Sequence, residues 1–345
     1  MLAKVFKILV FYIVFILIIS CGNSPQTFSQ EYSKKGEEGT DSTIDYRQEM
    51  RNFIISISTY AKQVNPNFII IPQNGVELIT INGEPEGEIV VPYVKAIDGQ
   101  GQEDLFYGFE EDNKPTPVEE TKWLISFLDR LKKYDKQKTI LVIDYCSDKE
   151  KIYNSYKKNE EKGYISIATC RELNCIPKYP SEPFNKNYKS IEFLFQAKNF
   201  LYLINPENFK TKEEFLKTLE NTYYDILIID AFFEDKLLTK KDINRLKTKP
   251  NGAKRIIIAY MSIGEAEDYR YYWQKEWYEN PPEWLEKENP DWRGNYKVKY
   301  WHPQWQNIIF GTPDSYLDKI LNSGFDGVYL DIIDGYEYFE ENYHT

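Results

Sequence analysis

Histidine is nearly missing from this chain of 345 residues: His302 and His344 are the only two. That scarcity leaves zinc sites built on imidazole, and Ser-His or Cys-His nucleophilic catalysis, without material. Neither a G-x-x-x-x-G-K phosphate loop nor a G-x-G-x-x-G turn occurs, so no nucleotide cofactor is expected, and no metal. Cysteine is sparse as well. Beyond Cys21 there are only Cys146, Cys170 and Cys175, an odd number that argues against a disulfide scaffold and leaves a Cys170–Cys175 bridge open. Positive charge is in deficit, with 43 Lys and Arg against 54 Asp and Glu and a formal charge of −11. Such a surface repels phosphate backbones, which excludes nucleic acid as the expected partner. Carboxylates remain for acid–base work.

The chain starts with Lys4 and Lys7 and an unbroken apolar run from Ile8 to Ile19. A run of this length and position reads as the core of an export signal. Its end, Leu17-Ile-Ile-Ser-Cys21, resembles the bacterial lipoprotein signal, in which the cysteine is acylated. The resemblance implies a signal over residues 1–20, a lipid on Cys21 and a place in the cell envelope. The membrane is then met through the anchor alone. Residues 21–45 are polar and almost free of apolar side chains, as in a flexible tether. Residues 46–345 are expected to form one domain.

Within that domain, short continuous apolar runs suggest parallel strands buried on both faces. They span Asn67 to Pro72, Thr139 to Ile143, Tyr164 to Ala168, Asn199 to Ile204, Asp225 to Ile229, Arg255 to Tyr260 and Gly327 to Leu330. A weaker strand lies within Val90 to Phe106. Helical patterns separate most of them, among them Thr121 to Tyr134, Lys212 to Asn221, Lys240 to Lys247 and Asp314 to Asn322. Eight strands with intervening helices predict the α/β class and a closed (β/α)8 TIM barrel. The strand ends carry Asn74, Glu103, Asp144, Arg171, Asn205, Asp230, Glu265 and Asp331. In such barrels the carboxyl ends of the strands face the active site.

Three strings are more specific: Tyr260-Met-Ser-Ile-Gly-Glu-Ala-Glu-Asp-Tyr-Arg270, the Trp-rich stretch from Pro282 to Trp301, and Gly324-Phe-Asp-Gly-Val-Tyr-Leu-Asp331. With Ile71-Pro-Gln-Asn-Gly75, Glu103-Asp-Leu-Phe-Tyr-Gly108 and Val142-Ile-Asp-Tyr145, they resemble glycoside hydrolase family 114, the endo-α-1,4-polygalactosaminidase-like barrels. The order differs from the usual one, with residues 46–190 and 191–345 exchanged, which reads as a circular permutation. A closed barrel tolerates this, because no strand pairing depends on where the chain begins. The new joint is expected near Ile176 to Lys189, where Pro177, Pro180 and Pro183 mark an irregular loop.

The resemblance implies hydrolysis of a polysaccharide or oligosaccharide by two carboxyl groups, which fall on Asp331 and Glu103, with Glu103 favoured as the acid. Glu265, Asp230, Asp144, Tyr260, Asn74 and Arg171 are candidate substrate ligands. Glu265 has a structural alternative as partner of Arg270, and Asp334 reads as a helix cap. Six of the seven Trp lie between Trp273 and Trp305, in an aromatic-rich insertion around residues 268–310. Most are expected to pack that insertion and one or two to line a cleft. An acidic, aromatic cleft suits an amino-sugar polymer. The competing reading is a surface lipoprotein that binds a glycan or host ligand on the same scaffold without cleaving it.

Overall fold

The computed structural model describes residues 44–343; the expected export signal, Cys21 and nearly all of the expected tether lie outside the described residues. Eight parallel strands form the centre: β1 (Ile69–Pro72), β2 (Gly99–Glu103), β3 (Thr139–Tyr145), β4 (Ile165–Thr169), β5 (Phe200–Leu203), β6 (Ile226–Asp230), β7 (Ile256–Ser262) and β8 (Gly327–Asp331). One ladder series runs β5-β6-β7-β8-β1 and a second runs β2-β3-β4. The series meet where Gln73 bridges Gly101 in parallel, and Asn74 N donates to Gly101 O at 2.9 Å. At the other seam β4 and β5 are neighbours, but among the described residues no ladder joins them. The architecture is mixed α/β around a parallel central sheet, compatible with the expected barrel.

Helices cover the strands: α1 (Tyr46–Val64), α2 (Val91–Ala96), α3 (Val118–Tyr134), α4 (Lys149–Lys162), α5 (Lys212–Glu220), α6 (Lys240–Leu246), α7 (Pro303–Ile309), α8 (Tyr316–Ser323) and α9 (Tyr336–Asn342). In α1 the apolar residues Met50, Phe53, Ile54, Ile57 and Ala61 recur at helical spacing and are all buried. Asp45 caps its first turn, accepting from Gln48 N at 2.9 Å. Each fully buried aliphatic side chain of this kind contributes roughly 2 kcal/mol.

Strand β2 departs from the apolar pattern, for its sequence is Gly-Gln-Gly-Gln-Glu. The nitrogens of its buried amides find local acceptors: Gln100 Nε2 donates to Asn74 O at 2.8 Å and Gln102 Nε2 to Glu103 O at 2.9 Å. Gly101 is required by close approach, since a β-carbon there would overlap the phenol of Tyr329 from β8. Tyr329 therefore reaches the backbone of β2, and only a residue without a side chain receives it.

The connection from β4 to β5 contains no α-helix, only the 3₁₀ turn Leu194–Gln196, in keeping with the Pro-marked irregular loop. At the amino ends of the strands it is tied down by Lys249, whose Nζ donates to Asn187 O at 3.0 Å and Lys189 O at 2.9 Å. Lys249 also pairs with Asp225, and both side chains are fully buried.

The Trp-rich insertion forms an antiparallel ribbon of Glu265–Glu267, Asn295–Val298 and Leu285–Glu288. Trp277, Trp284 and Trp305 are buried in it, and Trp305 Nε1 donates to Ile263 O at 2.9 Å. Trp273 and Trp301 are half-buried, whereas Trp292 is 59% exposed.

Candidate active site

Alternation along each strand decides which end residue turns inward. On β3, Asp144 turns away from the interior and Tyr145 turns toward Glu103. Asp144 is fully buried and accepts from Phe106 N at 2.9 Å, Tyr107 N at 3.2 Å, Ser155 Oγ at 2.6 Å and Asn159 Nδ2 at 3.3 Å. Burial pushes its carboxyl up, and these four donors oppose the rise. Asp144, expected as a substrate ligand, here braces α4 and the loop after β2.

Glu103, at the end of β2, is half-buried. Asn74 Nδ2 donates to its Oε2 at 3.0 Å, and Tyr145 OH donates to its Oε1. Asn74 sits in the left-handed region, φ 58°, where its own Oδ1 accepts from Glu103 N at 3.0 Å. The pair is locked reciprocally. Arg171 lies over the Tyr145 ring, 4.2 Å from its centroid, and donates to Gly108 O at 2.6 Å and Asp112 Oδ1 at 2.7 Å.

Asp331, at the end of β8, is half-buried and accepts from Tyr260 OH at 2.7 Å. Burial, then the charge of Glu103, pushes Asp331 up to about 7, while the bonds from Tyr260 and from Ile332 N pull the other way. Burial also drives the phenols of Tyr145, Tyr202, Tyr260 and Tyr329 far above their ordinary range, and the first three donate as neutral hydroxyls, to Glu103, Gln73 and Asp331. Ile332 follows with φ 56°, a strained conformation for a β-branched residue. Gly264 abuts it: a β-carbon there would overlap the Ile332 carbonyl oxygen.

The remaining candidates are held by protein partners. Asp230 receives Arg270 Nη1 at 2.9 Å, and Arg270 Nε reaches Glu267 at 2.5 Å. Glu265 is fully buried against Lys297 at 2.5 Å, Asn289 Nδ2 at 2.8 Å and Asn295 Nδ2 at 3.2 Å. Arg270 therefore belongs to Asp230 and Glu267, not to Glu265 as the sequence suggested. Asp334 is not a cap either, because Gly335 holds the N-cap of α9 and no side chain bonds there. Burial, followed by the charges of Glu337 and Asp331, pushes Asp334 up to about 8.

Tyr145, Glu267 and Lys297 were not singled out from sequence, and Arg270 was named only as a partner of Glu265. For Tyr145 the signal was present: one residue beyond Asp144 on a strand means the opposite face. Beside Arg171 lies an open depression of about 740 Å³ lined by Glu110, Glu111, Asp112, Glu172 and Asp291 as well as Gly108 and Phe109. A second, at the amino ends of the strands, is lined by Lys132, Lys136, Lys138 and Lys186 among others, away from the carboxyl pair. Among the described residues no group of three or more His, Cys, Asp or Glu is placed to hold a metal ion.

Residues 198–344 match the model of glycoside-hydrolase family GH114. An uncharacterized protein of Methanocaldococcus jannaschii is 42% identical over 206 residues, 59% of this chain and 51% of that protein. One from Thermotoga maritima is 54% identical over 84 residues, 24% of this chain and 25% of its own. One from Deinococcus radiodurans is 40% identical over 122 residues, 35% and 37% of the two chains. The chain spans about half the length of these relatives, or less.

Proposed function

From the GH114 match, we propose that this protein is a glycoside hydrolase whose carboxyl pair is Glu103 and Asp331. The observation that carries the reading is electrostatic: the charge of Glu103 helps to lift Asp331 to about 7. A carboxyl group that keeps its proton near neutral pH beside a second carboxyl group is what protonation of a leaving oxygen and attack on the anomeric carbon require. Their strands flank β1, and each group is steadied by a tyrosine from the adjacent strand, Tyr145 or Tyr260. Burial and its neighbour's charge raise Asp331 to about 7, which suits Asp331 to the acid role that the sequence reading gave to Glu103.

The substrate class in this reading is an amino-sugar polymer. The five acidic side chains around the depression beside Arg171 suit a cationic glycan. Closure of the eight strands into a barrel, in permuted order, belongs to the same proposal. The family match starts at residue 198, in mid-chain. The two ends of the described segment meet: Arg47 pairs with Glu340 at 2.8 Å, and the Tyr46 and Phe339 rings lie 5.5 Å apart. Export and acylation at Cys21 complete the reading and rest on the sequence pattern; Cys21→Ser should release the protein from the membrane fraction.

The test is hydrolysis of partly deacetylated galactosamine polymer by the wild type, Glu103→Gln and Asp331→Asn. Each substitution is expected to lower turnover by about 10²–10⁴-fold. Cleavage of neutral glycans alone would remove the amino-sugar assignment. Tight binding by the wild type without product would establish the binding lipoprotein instead.

A further inference from the structure

We propose that Cys170 and Cys175 are a disulfide site whose bond clamps the loop at the unladdered seam between β4 and β5. The two sulfurs lie 2.9 Å apart, with both residues half-buried and within reach of an exchange partner. The third thiol, Cys146, is buried and has no sulfur neighbour among the described residues. A pair five positions apart on one loop closes a small ring, and the loop here is already folded to present it: Leu173 N donates back to Cys170 O at 3.2 Å, with Leu173 at φ 50°.

What the loop holds gives the bond its consequence. Leu173 O accepts from Ile204 N at 3.0 Å and Asn205 N at 3.1 Å. Asn205 Nδ2 donates to Glu172 O at 2.7 Å, Asn208 Nδ2 to Asn174 O at 3.1 Å, and Asn174 Nδ2 to Glu207 at 3.0 Å. Residues 172–174 thus join the end of β4 to the segment after β5, where the strands make no ladder. The same loop carries Arg171, which covers Tyr145 and through it the carboxylate of Glu103.

The chemistry is thiol–disulfide exchange with a protein or small-molecule disulfide as oxidant. One thiol of the pair, as its thiolate, attacks the oxidant, forms a mixed disulfide and expels one thiol of the oxidant. The other, losing its proton, then displaces the second. Two protons and two electrons leave the pair, and the oxidant becomes two thiols.

The experiment needs no substrate, so it stands apart from the hydrolase reading. The full chain is reduced, exposed to oxidised glutathione, unfolded and alkylated, and its peptides are weighed. The expected peptide spanning residues 170–175 is unalkylated and two hydrogens lighter, with Cys146 alkylated. Alkylation of both Cys170 and Cys175, or glutathione adducts alone, would overturn the site. The oxidised wild type should melt about 2–4 °C above the reduced form, and Cys175→Ser should abolish that gap. A bond without the gap would overturn the clamp.

Discussion

Tyr260 and Asp331 are joined across the β7–β8 pair, phenol to carboxylate, at 2.7 Å. The register sets Asp331 opposite Ser262, two residues past Tyr260, so the phenol reaches diagonally to the strand end. Neutral phenol and ionised carboxylate make the favourable combination, and this bond holds Asp331 below where burial alone would put it. Removing the hydroxyl with Tyr260→Phe should move the pH–rate limb set by Asp331 upward by roughly one pH unit. A limb that stays in place would show that the bond does not govern that proton.

Asp331 also makes a stability prediction whose sign is fixed. Its folded-state value, about 7, exceeds its ordinary 3.8, so the folded protein binds the proton more tightly than the unfolded chain. The stability this provides is full below 3.8, falls as pH climbs and is gone above about 7. Asp334, at about 8, acts in the same direction. Denaturant melts of Asp331→Asn should therefore show a gain over wild type at pH 8 and none at pH 3.5. An equal gain at both pH values would point to packing rather than charge.

The Lys249–Asp225 pair sits where water does not reach. Replacing Lys249 by Met leaves Asp225 buried without its partner, at a cost of about 3–5 kcal/mol. The loss is measurable as a lower urea midpoint. A double variant with Asp225→Leu should recover much of it. If Lys249→Met proves neutral, the joint is not held by this pair.

Asp144→Ala should act on folding and leave substrate handling alone. It orphans the four donors that converge on Asp144, two of them backbone amides, with an expected loss of about 3 kcal/mol or more. Calorimetry should record a lower melting temperature while KM stays unchanged. A raised KM in a variant of normal stability would restore Asp144 to the substrate side.

The apolar strands were legible in the sequence because nothing else explains runs such as Ile256 to Ala259. Strand β2 was only dimly visible, since its buried face is built from glutamine amides and glycine that composition reads as loop. The seam between β4 and β5 falls at the joint expected near Ile176 to Lys189, but whether a ladder closes there depends on backbone alignment, which residue pattern does not encode. For the site, Glu103, Asp331, Tyr260 and Asn74, singled out from the sequence, lie in two hydrogen-bonded pairs. At Asp230, Glu265 and Asp144 the sequence alone could not tell a substrate ligand from a structural partner, because a charge at a strand end looks alike whether it faces the mouth or a buried partner. Only the positions of Arg270, Lys297 and Ser155 separate the two.

The fit of Gly264 beneath Ile332 restricts how this protein can vary. Any side chain at 264 must displace a carbonyl that is one peptide away from Asp331, so drift at a chemically blank position would reach the aspartate before it reached anything else. A saturation library should thus find residue 264 as intolerant as the carboxyl pair itself, although it carries no reactive atom.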